Sequence, residues 1–293
     1  MPVEAVTVMN RADEALRRAK RQGKDQVTYY DQEIDAEVRE ERLLDAELRR
    51  AIAVEELRLA FQPIIDLRSG RVEGMEALVR WQHPRRGMLP PHEFLSVAEE
   101  SGAIVALGQW VLDAGCAELR RLLEDRPDLV MSVNVSAAQL GRTDLVPAVK
   151  AALDRNELPP GSLRVELTET AMTESPSSLD ELWELDRMGV HVGIDDFGTG
   201  YGSLTYLQSL PARFLKIDRS FVDDILHNDN HLAIVRAVID LADTLDIDVV
   251  AEGVETSRQA TLLRELGCPS GQGYLFSPPM LAVGFDEYLA VQG

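Results

Sequence analysis

Apolar positions recur along this chain with two periods. Before residue 57 the spacing is helical. Ala12, Ala15, Leu16 and Ala19 fall on one face of a first helix, which the Gly23 region stops. Residues 27–30, Val-Thr-Tyr-Tyr, read as a short strand. A second helix is expected over 32–57, where Ile34, Val38, Leu43, Leu44, Leu48 and Ile52 make one apolar seam in an otherwise charged segment. Past residue 57 the period shortens. Residues 57–66 and 71–81 are strand-like, separated by a turn at Arg68-Ser69-Gly70. Further strands are expected over 130–135, 163–166, 191–195, 214–217 and 248–252, with a shorter one over 273–276. Helical patterns over 94–124, 179–188, 231–245 and 257–266 separate them. Alternating strands and helices imply a parallel sheet with helices outside it. At 293 residues an α/β barrel is favoured over an open sheet.

Composition narrows the partners more than the fold. Fifty acidic residues face thirty basic ones, a net charge of −20. Such a field repels nucleic-acid polymers and anionic membrane surfaces, so neither is expected as a partner. Most of the excess is expected on a solvated surface, with a smaller part gathered around metal ions. The two cysteines, Cys116 and Cys268, make neither a disulfide framework nor a zinc pair. No apolar run reaches the ~18 residues needed to cross a membrane, and Met1 is not followed by a signal-peptide pattern. A cytoplasmic location is expected, although a longer parent protein could carry an anchor.

The candidate chemistry sits at strand ends. Glu76 lies in the second strand-like run. Asn134, Glu166, the pair Asp195-Asp196 and Glu252 close four later ones, Glu169 follows three residues after Glu166, and Lys216 lies in Phe-Leu-Lys-Ile-Asp. In a parallel barrel the strand C-termini converge on one face, where active sites lie. One carboxylate there is an ordinary cap or turn residue. A series of them with an amide oxygen is a hard ligand set suited to Mg²⁺ or Mn²⁺, and adjacent aspartates could serve two ions, the arrangement used for phosphodiester hydrolysis. Lys216, flanked by Leu215 and Ile217, is expected on a buried strand and so needs anionic partners. The glycine-rich stretch from Asp196 to Ser203 matches no dinucleotide or Walker pattern and reads as a loop that places carboxylates and can move.

Glu76-Ala77-Leu78 resembles the signature of the EAL domains. It is accompanied, in order, by Phe61-Gln62-Pro63-Ile64, Asn134-Val135-Ser136, Glu166-Leu167-Thr168-Glu169, Asp195-Asp196-Phe197-Gly198-Thr199-Gly200-Tyr201, Lys216-Ile217-Asp218, Ala251-Glu252-Gly253-Val254-Glu255 and Gln272-Gly273-Tyr274. The resemblance covers residue 57 to the C-terminus. It implies a TIM-like (β/α)8 barrel with one antiparallel strand, two Mg²⁺ or Mn²⁺ ions, cyclic di-GMP cleaved to 5′-pGpG, and frequent homodimers. It further implies that Glu76, Asn134, Glu166 and Asp195 ligate one metal and Asp195 and Asp196 the second. Glu252 would stand among these ligands, by the water network at the metals. Lys216 would hold or help deprotonate the attacking water, Gln272 would contact that water or Glu252, and Glu169 would anchor the glycine-rich loop, with Glu255 in support. Gln62 and Arg80 resemble substrate-contacting positions, Arg80 facing phosphate, and Asp218 is a partner of that site. Some EAL domains bind cyclic di-GMP or a protein without cleaving it, and a silent receptor is the alternative.

Two features lie outside that pattern. Gly202 stands where the family commonly has serine, which loosens the loop. Residues 11–27 resemble the last helix and strand of a GGDEF domain. Residues 1–50 are therefore expected to be a GGDEF remnant and linker helix, residues 51–293 the EAL domain, with GGDEF and sensor domains upstream in the parent protein.

Overall fold

The computed structural model describes residues 32–140, 145–169, 171, 179–199, 207 and 209–292, the first seven by backbone alone, together with a few positions among the first nineteen. The strand expected over 27–30 and the position of Gly202 lie outside the described residues.

Strand β1 (Leu57–Asp66) turns back into β2 (Val72–His83), and β3 (Gly87–Leu89) folds onto β2. The turn is held by Asp66, whose Oδ1 accepts from the amides of Arg68 and Ser69. Then follow β4 (Val130–Asn134), β5 (Leu163–Thr168), β6 (His191–Phe197), β7 (Ala212–Ile217) and β8 (Asp248–Ala251). Each is parallel to the barrel strand before it. Strand β9 (Ser270–Gly271) runs parallel to β8 and antiparallel to β1, which closes the ring. A short β10 (Met280–Leu281) pairs outside β1. The result is a closed eight-stranded TIM-like barrel in which β1 alone runs against both neighbours.

Helices cover the outside: α1 (Gln32–Ala53), α2 (Leu95–Ser101), α3 (Ile104–Leu122), α4 (Leu145–Arg155), α5 (Leu179–Arg187), α6 (Arg219–Asp223), α7 (Asp229–Leu245), α8 (Ser257–Glu265) and α9 (Ala282–Gln292). Outward strand residues such as Met131, Val165, Val192 and Leu215 meet helix residues such as Leu119, Leu185, Val235 and Leu263 in the main core. A second apolar cluster seats α1. Its Leu44, Leu48 and Ala51 pack with Trp81, Phe94, Ala98, Ile104 and Leu107. Burying one such leucine contributes about 1.5–3 kcal/mol.

Inward residues alternate with these at the two-residue period of a strand. Phe214 fills the middle of the barrel with Ile64 and Val250. Gly193 on β6 makes room, since a Cβ there would lie 2.1 Å from the Phe214 ring. Two residues further along the same strands come Lys216, Asp195 and Glu252, so the apolar layer is the floor on which the polar ends rest.

Four expectations need correction. The helix expected over 94–124 is two helices, α2 and α3, because Gly102 takes φ +77° and caps α2 in the left-handed region. The strand expected over 273–276 is a turn, closed by Phe276 N–H donating to Gly273 O at 3.1 Å, and the last barrel strand is β9 just before it. The second helix stops at Ala53 rather than 57. Helices α4, α6 and α9 answer to no expected element. Strands β3 and β10 likewise answer to none; the seven other barrel strands lie where the alternation puts them, within two residues at either end.

Candidate active site

The C-terminal strand ends converge on one ammonium group. Lys216 is 1% exposed. Its Nζ lies 2.6 Å from Glu252 Oε1, 2.9 Å from Glu166 Oε2, 3.1 Å from Glu76 Oε2 and 3.4 Å from Asp195 Oδ1. Strand register explains the convergence. Glu76 on β2 pairs with Gln62 on β1, Asn134 on β4 pairs with Glu166 on β5, and Thr168 on β5 pairs with Asp195 on β6. A second ring of amides braces the carboxylates. Asn134 Nδ2 donates to Glu76 Oε1 at 2.6 Å, and Gln272 Nε2 donates to Glu76 Oε2 at 2.6 Å and to Gln62 Oε1 at 3.0 Å. Gln62 Nε2 in turn donates to the carbonyl of Ser277.

Five carboxylates here face one ammonium, and their proton affinities show the imbalance. Burial pushes Glu166 up to about 7 and Glu252 up to about 8, against the pull of Lys216. Burial, then Asp195 and Asp218, push Asp196 up to about 6. Glu76 is the exception: burial opposes its charge, but Lys216 and the hydrogen bonds from Gln272 and Asn134 outweigh it and hold its carboxyl below the usual value. Burial likewise opposes the Lys216 charge, yet the surrounding carboxylates raise its pKa well above that of a free lysine, so it stays an ammonium. Glu166 Oε1 and Gln272 Oε1 are buried without a hydrogen-bond partner. Oxygens of Asp195, Asp196 and Glu252 lie within 4.8 Å of one another. Buried acceptors left unpaired beside surplus negative charge are what a divalent cation satisfies.

The loop after β6 starts under strain. Asp196 adopts φ +55°, a left-handed conformation uncommon for a non-glycine residue, and its amide donates to Asp195 Oδ1 at 3.0 Å. Two ties hold the first turn. Gly198 N–H donates to Glu169 Oε2 at 3.1 Å, and Thr199 Oγ1 donates to the carbonyl of Asp196 at 2.9 Å. Asp218 caps α6 by accepting from Ser220 N–H at 3.0 Å and presses on Asp196. Alongside the carboxylates a cavity of about 870 Å³ runs between β2, α2, α3 and the segment after β4. Apolar side chains make most of its wall, and Asn134 and Glu166 join it to the carboxylate cluster.

The profile of the EAL domain family matches residues 45–279 of this sequence. The chain belongs to that family. It is 43% identical over 277 residues to the bifunctional diguanylate cyclase/cyclic di-GMP phosphodiesterase MucR of Pseudomonas aeruginosa, covering 94% of this chain and 40% of that protein. It is 40% identical over 284 residues to the cyclic di-GMP phosphodiesterase NbdA of the same organism, covering 96% and 36%. A solved structure of the PaMucR phosphodiesterase in complex with c-di-GMP superposes with a TM-score of 0.79 at 45% identity, covering 83% of this chain and 99% of that one. The chain thus spans well under half the length of these two curated relatives.

In this EAL domain the residues singled out in the sequence come together, with gradations. Glu76, Asn134, Glu166, Asp195, Asp196, Lys216, Glu252, Gln62 and Gln272 form one contiguous cluster. Glu169 reaches it only through the loop. Arg80 is half-buried and faces Glu76 and Tyr274, while Nη1 donates to its neighbour's carbonyl, Val79 O. Glu255 stands further out, paired with Arg219 at 2.9 Å. Sequence reasoning missed Glu99, whose Oε1 accepts from Ser136 Oγ at 2.7 Å across the cavity mouth, and buried Gln139, which completes a capping box with Ser136. The Ser-x-x-Gln spacing after Asn134 was the available signal. Among the described residues no helix is long and apolar enough to cross a membrane.

Proposed function

We propose that this EAL domain hydrolyses cyclic di-GMP to 5′-pGpG with two Mg²⁺ or Mn²⁺ ions. The observation that carries the reading is the Lys216 cluster: four carboxylates converge on one ammonium, Asp196 stands beside them, amides brace Glu76, and two buried acceptors stay unpaired. Glu76, Asn134, Glu166 and Asp195 would hold one ion, Asp195 and Asp196 the second, with Glu252 beside them. Asn134 spends its Nδ2 on Glu76, which leaves Oδ1 as the ligand atom. Bound ions of this kind offset phosphodiester charge and lower the pKa of a water.

The chain's own groups do the rest. Lys216, held as an ammonium, donates to the attacking water and orients it rather than taking its proton. Glu252, the carboxylate nearest Nζ, accepts that proton. In-line attack at phosphorus expels the 3′ oxygen of one bridging phosphodiester. Gln272 fixes Glu76 and Gln62, Arg80 faces phosphate, and the cavity beside Asn134 takes a flat base against its apolar wall. Positioning and charge stabilisation together supply the rate. Homodimerisation and upstream GGDEF and sensor domains belong to the same reading and rest on the family resemblance. Chromatography of cyclic di-GMP incubated with the protein and Mg²⁺ tests the reading, with appearance of pGpG expected. Binding without any pGpG would replace it with the silent receptor.

A further inference from the structure

Helix α2 is the part of the cavity wall least able to hold itself in place. It has seven residues, and a helix that short has no independent stability in water. It nevertheless supplies Leu95, Glu99 and Glu100 to the cavity lining. Its position must therefore be set by what it is tied to, and the ties come from two sides.

On the outer side is α1. Arg49 is fixed by its own helix, Nε donating to Asp45 Oδ1 at 3.0 Å, which directs Nη2 to the carbonyl of Ser101 at 2.8 Å. Ser101 is the last residue of α2, immediately before the break at Gly102. Beneath that contact Leu44, Leu48 and Ala51 of α1 share the second apolar cluster with Phe94 and Ala98 and with Ile104 and Leu107, which themselves line the cavity. On the inner side Glu99 accepts from Ser136, two residues beyond Asn134. Ser136 is itself immobilised, accepting from Ala138 N–H while Gln139 Oε1 accepts from its amide. Gln139 is wedged against Gly108 of α3, where even a methyl group would collide with it.

We infer that Arg49 and Glu99 are positioning residues that hold α2 over the substrate cavity, so that the seating of α1 sets substrate affinity without touching substrate. The inference rests on the reading of the cavity as the substrate site. It gives α1, the helix that leads into the barrel, a route to the site. A movement of α1 releases the Ser101 carbonyl, α2 swings on Gly102, and the wall carrying Glu99 leaves Ser136. The metal-facing side chains stay where the strands place them, and the effect falls on binding rather than on chemistry.

The test is calorimetric binding of cyclic di-GMP in Ca²⁺, which favours looser coordination and is expected to hold substrate without turnover, combined with turnover in Mg²⁺. Arg49→Ala and Glu99→Ala are each expected to raise Kd about 3- to 10-fold, the net scale of one lost hydrogen bond at an exposed site, with kcat within about two-fold of wild type. Glu99→Gln retains an acceptor for Ser136 and is expected to bind at least as tightly as wild type. Arg86→Ala removes another tie of α1 to the barrel, the 2.9 Å pair with Glu40, at a point remote from α2, and is expected to change nothing. Removing a negative charge beside a dianionic ligand would by itself tighten binding, so weaker binding of Glu99→Ala reads the tie and not the charge. Wild-type Kd values for both alanine variants would overturn the inference, as would an equal loss in Arg86→Ala. Wild-type protein that binds but never cleaves sinks only the hydrolase reading, because affinity still reports on α2.

Discussion

The two ends of the barrel use the same strands for opposite purposes. At the N-terminal mouth the inward positions are also charged: Arg164 on β5, His191 on β6, Asp248 on β8, with Arg213 and Asp246 at the rim. There most charges find a neighbour of their own, although Arg164 Nε is buried without a hydrogen-bond partner. Arg213 Nε donates to Asp186 at 2.8 Å, the Arg164 guanidinium stacks 5.0 Å above the Phe214 ring, and Glu73 accepts from Ser270 Oγ at 2.6 Å. Most of these groups also reach water. One apolar layer away, on the far side of Phe214, four carboxylates surround one buried ammonium with Asp196 beside them, and stay unbalanced. The chemistry of a charged residue in this fold thus follows its height along the strand. At one end charges of both signs stand beside one another or reach water; at the other the carboxylate surplus is an unmet demand for cations.

That contrast can be broken. The largest effect belongs to the centre of the surplus. Glu76→Ala is expected to lose about 10³-fold or more in turnover, and Lys216→Ala about 10²- to 10³-fold while still binding cyclic di-GMP, the scale of removing a preorganised electrostatic group. Product chromatography with a calorimetric binding check separates the two. Near-normal turnover of Lys216→Ala would remove that residue from the mechanism.

Glu169→Ala comes next. A misplacement of ~1 Å costs on the order of 10² in rate, so freeing the Gly198 amide is expected to lower turnover by about that factor and to weaken metal binding. Circular dichroism should stay unchanged. Metal affinity and rate both at wild-type level would dissolve the clamp.

The third effect is on stability. In chelator the folded chain keeps protons on Glu166 to about pH 7 and on Glu252 to about pH 8, whereas the unfolded chain releases them near pH 4.3. The folded state therefore binds more protons across that window, and stability falls as pH rises through it. Melting temperature in EDTA should drop between pH 5 and pH 8.5, and Mg²⁺ should remove much of the drop. A flat profile in EDTA would mean that the carboxylates are not in surplus. The smallest effect is at the other mouth. Arg213→Ala, an exposed pair worth roughly 0–1 kcal/mol, should leave turnover within two-fold and shift melting by a few degrees at most.

Much of this was legible because strands alternate. A two-residue period identifies inward positions, and a polar residue closing an apolar strand marks the barrel face on which it emerges. Seven of the eight barrel strands could be located from their patterns, and with them Glu76, Asn134, Glu166, Asp195, Asp196, Lys216 and Glu252. What escaped was local backbone geometry and anything defined by packing alone. Gly102 lies inside an apolar helical pattern, which hid the break that frees α2 from α3. Pro147 disguised α4, although proline is tolerated in a helix's first turn. Helix α9 spreads its apolar residues around its circumference, so no face announces it. Lys216 could be seen to need anions, but which four it would find was decided by register. The tie between Glu99 and Ser136 joins segments 37 residues apart and leaves no periodic trace.

The reversed direction of β1 has a consequence for how the molecule is made. A parallel strand would need a crossover to its neighbour, whereas β1 reaches β2 by a short turn and meets its other barrel partner, β9, only at Ser270 and Gly271. The first barrel strand to leave the ribosome is thus completed by the last. Gln62 waits 210 residues for Gln272, and Phe61 still longer for the ring of Phe285, 5.8 Å away in α9. Contacts of such separation form late and slowly. A chain arrested anywhere before residue 270 has an open edge at β1, a Glu76 without its glutamine brace, and no means of holding the floor and the carboxylates in register. Assembly of the site therefore waits for β9: a barrel made only as far as β8 has no complete site with which to hold cations.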